Sequence, residues 1–254
     1  MKDRIASATQ RRYGEAIRAR VESEALARLN ERSVCRRYRR DPVPEEIVSL
    51  LCATALAAPT KSDLQQASIV RVADAAKRAA ICALLPGSPW LAGAPELLVF
   101  CADGSRVRRI FAKRGAAFPN EHLDQFFNAS VDAAIVLGTF VAAAELAGLG
   151  SCPISQIRDH IQRINELLAL PDWVVPVAGL ALGWPEAKEP LSPRLALSAT
   201  VHTNTYDGAA VERELGAYDA RRGRDWTGDK IRQYSTVWRA DFGAFVRGKR
   251  FRTD

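Results

Sequence analysis

The sequence is poor in the residue patterns that most catalytic chemistry relies on. Its three histidines, His122, His160 and His202, form no HxxxH or HxH pair, so no metal site is expected. The five cysteines, Cys35, Cys52, Cys82, Cys101 and Cys152, are odd in number and lack CxxC spacing, which reads as buried thiols. No GxGxxG follows a strand pattern and no GxxxxGKS/T occurs, leaving a Rossmann dinucleotide site and a P-loop without support. A GxSxG elbow is also missing. There is no uninterrupted run of about 18 apolar residues, so no membrane span is expected. The N-terminal stretch MKDRIASATQRRYGEAIRAR mixes charge throughout instead of carrying the apolar run of a secretory signal, and the expected location is cytoplasmic.

What is present is an ordinary globular composition over 254 residues, 48% hydrophobic and 26% charged, enough for one elaborate domain. Lys and Arg outnumber Asp and Glu by 36 to 29. With no aromatic-interleaved basic stripe, recognition-helix signature or zinc-finger spacing, nucleic acid is not the expected partner. The phosphate of a cofactor accounts for the arginines more simply.

Periodicity predicts a first helix over 10–31, from Tyr13, Ile17, Val21, Ala25 and Leu29 four apart. A second should follow Pro42 to Pro44, with Glu45 and Glu46 favouring its N-terminus, and run through Leu56. Strands are expected at 68–72, 96–102 and 173–182, the last interrupted by Pro176. A long helix over 121–147 is almost entirely apolar around its barrel, which predicts burial on nearly all sides, in a core or at a subunit interface. Further helices are expected at 156–168, 208–220 and 230–246.

Three places concentrate arginines and small polar groups. Arg32 and Arg36 are four apart; if locally helical they share a face and clamp a phosphate, but read alone the stretch, with Arg37, Arg39 and Arg40, better suits a solvated face. Pro59 to Gln65 is a loop rich in hydrogen-bonding groups before a strand. Pro193-Arg194-Leu195 follows the strand that ends in Gly183.

Four segments in order carry a resemblance: RSVCRRYRRDPVPEEIVSLLCATALAAPTKSDLQQASIVRV, ELLVFCAD, VDAAIVLGTFVAAAELAGLGSCPISQIRDHIQRINELLALPDWVVPVAGLALGWP and SPRLALSATVHTNTY. Together they resemble the nitroreductase superfamily, in particular its NADPH-dependent, oxygen-insensitive nitroreductase and flavin reductase subgroup. The resemblance implies an α+β fold with a mixed central sheet flanked by helices, in an intertwined homodimer that binds FMN. It leaves 1–31 as an N-terminal helical extension and makes 32–254 the FMN-binding domain with a C-terminal helical excursion.

By the same resemblance Arg32 and Arg36, with Ser33 beside them, grip the FMN phosphate, and Arg194 is a second grip. Thr60, Lys61 and Ser62, with Gln65 nearby, fall where the family holds the ribityl chain and pyrimidine edge. Lys61 departs from the small residue usual there and is placed to stabilise charge on reduced flavin. Pro153, Ile154, Ser155 and Gln156 take the place of a stretch that faces the flavin ring and lends it backbone N–H groups; the family's aromatic and two glycines are replaced. Arg222 and Arg224 resemble the subgroup's loop for the 2′-phosphate of NADPH. No side chain is required as acid or base. NADPH or NADH is the implied donor, and nitroaromatic, quinone or flavin compounds the acceptors, in ping-pong order; the basic segment 105–120, with Arg108 and Arg109, is expected to favour anionic acceptors. Two alternatives share these residues: a flavin-binding protein without reductase turnover, and a relative using FMN for different chemistry.

Overall fold

Alternation of apolar side chains along short strands, and a 3.6-residue period along one long helix, set the layout of the chain. The computed structural model describes residues 1–254. In chain order α1 (Lys2–Tyr13) and α2 (Glu24–Glu31) precede α3 (Glu45–Leu56), β1 (Ala67–Arg71), α4 (Ala75–Ala83), β2 (Glu96–Asp103) and α5 (Ser105–Lys113). Next come α6 (Leu123–Leu146), β3 (Gly150–Ile154), α7 (Ile161–Leu168) and β4 (Val174–Gly183). The chain ends with α8 (Leu197–Thr200), α9 (Ala210–Arg222), α10 (Trp226–Tyr234) and α11 (Phe242–Gly248). Two compact units result: Val34–Ala187 with Trp238–Asp254, and Met1–Ser33 with Lys188–Val237.

In the larger unit the strands lie in the order β1-β2-β4-β3. The α+β layering is the expected one, but every strand pairing within the chain is antiparallel, where a mixed sheet had been expected. Alternate residues of β2 supply two cores: Leu97, Val99 and Cys101 face one, Leu98 and Phe100 the other. Pro176 lacks an N–H for the ladder, and the register of β2 on β4 shifts beside it, between Phe100 and Cys101. The strand therefore continues through the proline as a bulge.

Helix α6 covers one sheet face with Ala129, Ala133, Val136, Phe140 and Ala144, spaced by three and four. Phe140 meets Phe100 edge to face at 5.5 Å. By length and composition α6 is apolar enough to cross a membrane, although Asn128, Ser130, Asp132 and Glu145 interrupt its apolar run. Within the chain α6 is buried on one side only: Leu123, Phe127, Val131, Ile135 and Leu146 are exposed.

The glycine-bearing stretch after α6 is a strand, β3, at the sheet edge. Gly150 is required there by close approach, since a Cβ would lie 2.6 Å from the Cβ and Sγ of Cys35. Strand β3 tolerates Pro153 because it pairs on one side only.

In the smaller unit the helix expected over 10–31 is two helices. Gly14, at φ 80°, closes α1 with its N–H on the Gln10 carbonyl, and Ser23 caps α2 by accepting from the Leu26 N–H at 3.2 Å. Local capping chemistry overrode a four-residue apolar spacing whose members Ile17 and Val21 are exposed. The helix expected over 230–246 is likewise two, α10 and α11, with Arg239 between them at φ 54°.

Arg4 of α1 clasps α2, donating to Glu31 at 2.9 and 2.8 Å and to Glu24 at 2.7 Å. These hydrogen bonds hold the Glu31 carboxyl at a pKa of about 2, below its ordinary 4.5. A depressed folded pKa means that this contribution is complete above 4.5 and is lost as pH falls through about 2. Exposure of Arg4 to solvent screens the pair and keeps this contribution small. Glu31→Gln is expected to melt below wild type near neutral pH and to converge with it in strong acid; parallel melting curves across a pH series would show that the pair contributes nothing.

Candidate functional site

One carboxylate organises the polar loop before β1. Asp132, only 2% exposed, projects from α6 and accepts from the Thr60 hydroxyl, the Lys61 N–H at 3.0 Å and the Gln66 N–H at 3.1 Å. Thr60 in turn accepts the Gln65 N–H at 2.8 Å. The loop needs this anchoring because Ser62, Asp63 and Gln65 all have positive φ, 51°, 55° and 51°. Such conformations cost non-glycine residues on the order of 1 kcal/mol each and persist when surrounding contacts over-determine them. The result is a preset backbone with Lys61, Ser62 and Gln65 exposed on it. Lys61 has its ammonium 3.4 Å from the Ser62 hydroxyl.

The other side of this loop is held by Arg106 of α5, which donates to the Gln65 carbonyl, the Ala67 carbonyl at 3.0 Å and the Ser68 hydroxyl at 2.8 Å. Asp103 accepts from Ser105 and Ser68, both at 2.6 Å. Burial raises its pKa, but these hydrogen bonds and the Arg106 charge outweigh burial and hold the carboxyl below its usual range. Thr60, Gln65, Gln66, Ser68, Arg106 and Asp132 line a cavity of about 400 Å³, closed on its apolar side by Cys52, Leu56 and Val136. Gln66 is fully buried; its carbonyl oxygen accepts from Gln125 while its amide nitrogen has no partner.

Sequence reasoning missed Asp132, Gln66 and Arg106. Asp132 had a signal, as the one acid within the apolar run from Val131 to Ala144. The fully buried Gln66 was passed over for its exposed neighbour Gln65.

The expected helical pairing of Arg32 and Arg36 does not form. Arg32 ends α2 with φ −60° and ψ 132°, and the chain beyond it is extended. Ser33, half-buried, lies in that extended stretch. Arg36 is exposed over the Trp90 ring, 5.9 Å from its centroid. Arg32 has a buried guanidinium nitrogen with no hydrogen-bond partner. Arg194, exposed, donates to the carbonyls of Ser192 at 3.3 Å and Pro193 at 3.0 Å.

Pro153 is exposed on β3, whereas Ile154 is buried in the core beside Ile157. Ser155 is exposed at the turn, and Gln156 accepts from the Ser88 hydroxyl at 2.5 Å. Arg222 lies over the Tyr218 ring and donates to its hydroxyl at 3.1 Å, while Arg224 is exposed with Asp229 at 3.8 Å. Arg108 is not open to an acceptor as expected. It is 8% exposed, bonded to Glu121 at 2.5 and 2.8 Å and set against Phe118, Trp173 and Phe251. Arg109, next to it, is exposed.

Replacing Asp132 by Ala strands two backbone N–H groups and the Thr60 hydroxyl, and is expected to cost roughly 2–4 kcal/mol. The amides of Lys61 and Gln66 should lose hydrogen-exchange protection while far-ultraviolet dichroism stays intact. Unchanged protection at both amides would show that the carboxylate does not hold the loop.

The sequence model of the nitroreductase family matches residues 29–184. The chain is 35% identical over 201 residues to the FMN reductase [NAD(P)H] of Bacillus subtilis, covering 78% of this chain and 80% of that protein. It is 36% identical over 210 residues to the oxygen-insensitive NADPH nitroreductase of Salmonella typhimurium, covering 78% and 85%. Among solved structures it is similar to the hypothetical oxidoreductase YcnD from Bacillus subtilis, with a TM-score of 0.86 at 28% identity over 92% of this chain and all (100%) of that one. NfrA2 of B. megaterium superposes with a TM-score of 0.84 at 26% identity, over 92% and 100%. With the family model spanning more than half of its length, and with two such relatives above 30% identity, the chain belongs to the nitroreductase family.

Proposed function

We propose that this protein is an FMN-dependent oxidoreductase that takes electrons from NAD(P)H and delivers them to nitroaromatic, quinone or flavin acceptors. The observation that carries this reading, beside the family, is arginine without counter-ion. Arg32 has a buried, unpartnered guanidinium nitrogen, and Arg194 is bonded only to carbonyls. That donor set suits a phosphate dianion, which fills unsatisfied N–H groups and neutralises the charge together.

The phosphate is held by Arg32, Ser33, Arg36 and Arg194. Thr60, Lys61, Ser62 and Gln65 hold the ribityl chain and pyrimidine edge, the Lys61 cation favouring negative charge there. Pro153 to Gln156 border the ring. Arg224, exposed, and Arg222 are the groups for the 2′-phosphate of NADPH. The chemistry that FMN supplies when bound is two-electron transfer from nicotinamide to acceptor in ping-pong order. The chain's own part is binding and orientation, and no side chain acts as acid or base. The names of the relatives, an FMN reductase using NAD(P)H and an NADPH nitroreductase, support this activity and both nucleotides as donors.

The active form is a homodimer in the cytoplasm. Leu123, Phe127, Val131 and Ile135 are exposed at four-residue steps on α6, opposite the face that packs on the sheet. Such a stripe on a helix already committed to a core is a partner surface, and a second copy of the same stripe is self-complementary.

Protein reconstituted with FMN is expected to show a flavin spectrum that bleaches anaerobically on adding NADPH or NADH. A flavin that binds but stays oxidised with both nucleotides would favour the binding protein without turnover, and failure to bind FMN would sink the cofactor assignment. The double change Phe127→Glu, Ile135→Glu places like charges on the stripe. It is expected to convert a dimer to a monomer by light scattering with little change in the dichroism spectrum; a wild-type monomer would refute the dimer.

A further inference from the structure

The last turn of the N-terminal helix carries an arginine that makes no ion pair. Arg12 is 7% exposed, and all its side-chain hydrogen bonds go to backbone carbonyls: Asn30 at 2.8 Å, Ser192 at 3.3 Å and Arg32. Its own carbonyl accepts the Arg194 N–H at 2.6 Å. Arg12 thereby ties the end of α2, where Arg32 begins the extended stretch, to the Ser192–Arg194 turn. Both segments carry a phosphate grip in the reading above, and both belong to the same compact unit as Arg12.

A buried guanidinium is normally matched by a carboxylate, since its desolvation must be offset. Here Arg12 is satisfied by carbonyl dipoles alone. Burial, followed by the charges of Arg194 and Arg32, pushes its pKa below the ordinary arginine value. Arg12 thus stands among the like charges of Arg194, Arg32 and Arg11, and Arg32 has a buried guanidinium nitrogen that bonds to nothing. The nearby acid Glu31 is taken up by Arg4 and Lys188. An arrangement of this kind is stabilised by an anion from outside.

We infer that Arg12 is a positioning residue for the FMN phosphate, joining the Arg32 and Arg194 segments into one phosphate-binding site and adding a further positive charge to it. The N-terminal segment is then part of the cofactor site. The inference rests on the proposed FMN reading. Arg12 itself donates to carbonyls, so its effect on the phosphate passes through the backbones it holds and through its charge.

The test compares FMN with riboflavin, which has the same ring and ribityl chain without the phosphate, by flavin-fluorescence titration of the full-length apoprotein. Wild type is expected to prefer FMN. Arg12→Met is expected to weaken FMN roughly tenfold or more, as loss of charge-assisted bonding does, and to leave riboflavin affinity unchanged. Arg12→Lys keeps the charge but cannot span three carbonyls; it should reduce the FMN preference less, and gives the same readout where the Met variant fails to fold. Arg11→Ala removes an exposed neighbouring charge and should keep the preference intact. Inorganic phosphate should raise the melting temperature of wild-type apoprotein more than that of Arg12→Lys. Equal losses for FMN and riboflavin, or a preference untouched by either Arg12 variant, would overturn the inference while leaving the FMN reading in place. Wild-type protein that binds neither flavin would overturn that reading, and this inference with it.

Discussion

The hydrogen bonds to the Asp132 carboxylate are the constraint on which the candidate site depends. A loop containing three non-glycine residues at positive φ does not keep that shape unaided, and Asp132 supplies acceptors for the Thr60 hydroxyl and the N–H groups of Lys61 and Gln66. Because Asp132 sits on α6, the loop inherits the rigidity of the helix that packs on the sheet. Packing precision in the core is transmitted to exposed polar groups through a single side chain. Arg106 does the same from α5, capping the carbonyls of Gln65 and Ala67.

The arginines divide by what satisfies them. Arg71 is paired with Glu96 and Glu45, Arg108 with Glu121 among aromatic rings, and Arg239 with Asp159. These hold structure. Arg12, Arg32 and Arg194 have carbonyl partners or none, and no carboxylate pairs with them. A net surplus of 7 positive charges says nothing of this division, which depends on which acids lie within reach.

Helix α6 carries two apolar faces with different compositions. The sheet-facing side is rich in alanine, which lets the backbone approach β2 closely, while the outward side presents Leu123, Phe127, Val131 and Ile135. One helix thereby holds the loop, fills a core and presents an exposed apolar face. Such use of one element explains why its sequence looks apolar all round, although this chain buries only one side of it.

How much of this was legible beforehand differs by element. Helix α3, strands β1, β2 and β4 and the long helix α6 were read within a few residues, because each has a strong local period. The first helix was not, since a spacing of four at Tyr13, Ile17 and Val21 mimics an amphipathic face while Gly14 and Ser23 end and restart the chain locally. Strand β3 was hidden because five residues with a glycine and a proline carry no period, and pairing with β4 alone makes them a strand. The sequence by itself determined the family, the element types and the residue kinds able to meet a flavin phosphate, since those follow from order, period and side-chain chemistry. Only the tertiary structure decided which arginine is paired with an acid and which is not, and that Asp132 rather than any residue of the loop fixes the loop's shape. Both depend on groups brought together from distant parts of the chain, where burial raises the cost of every unmatched charge and N–H.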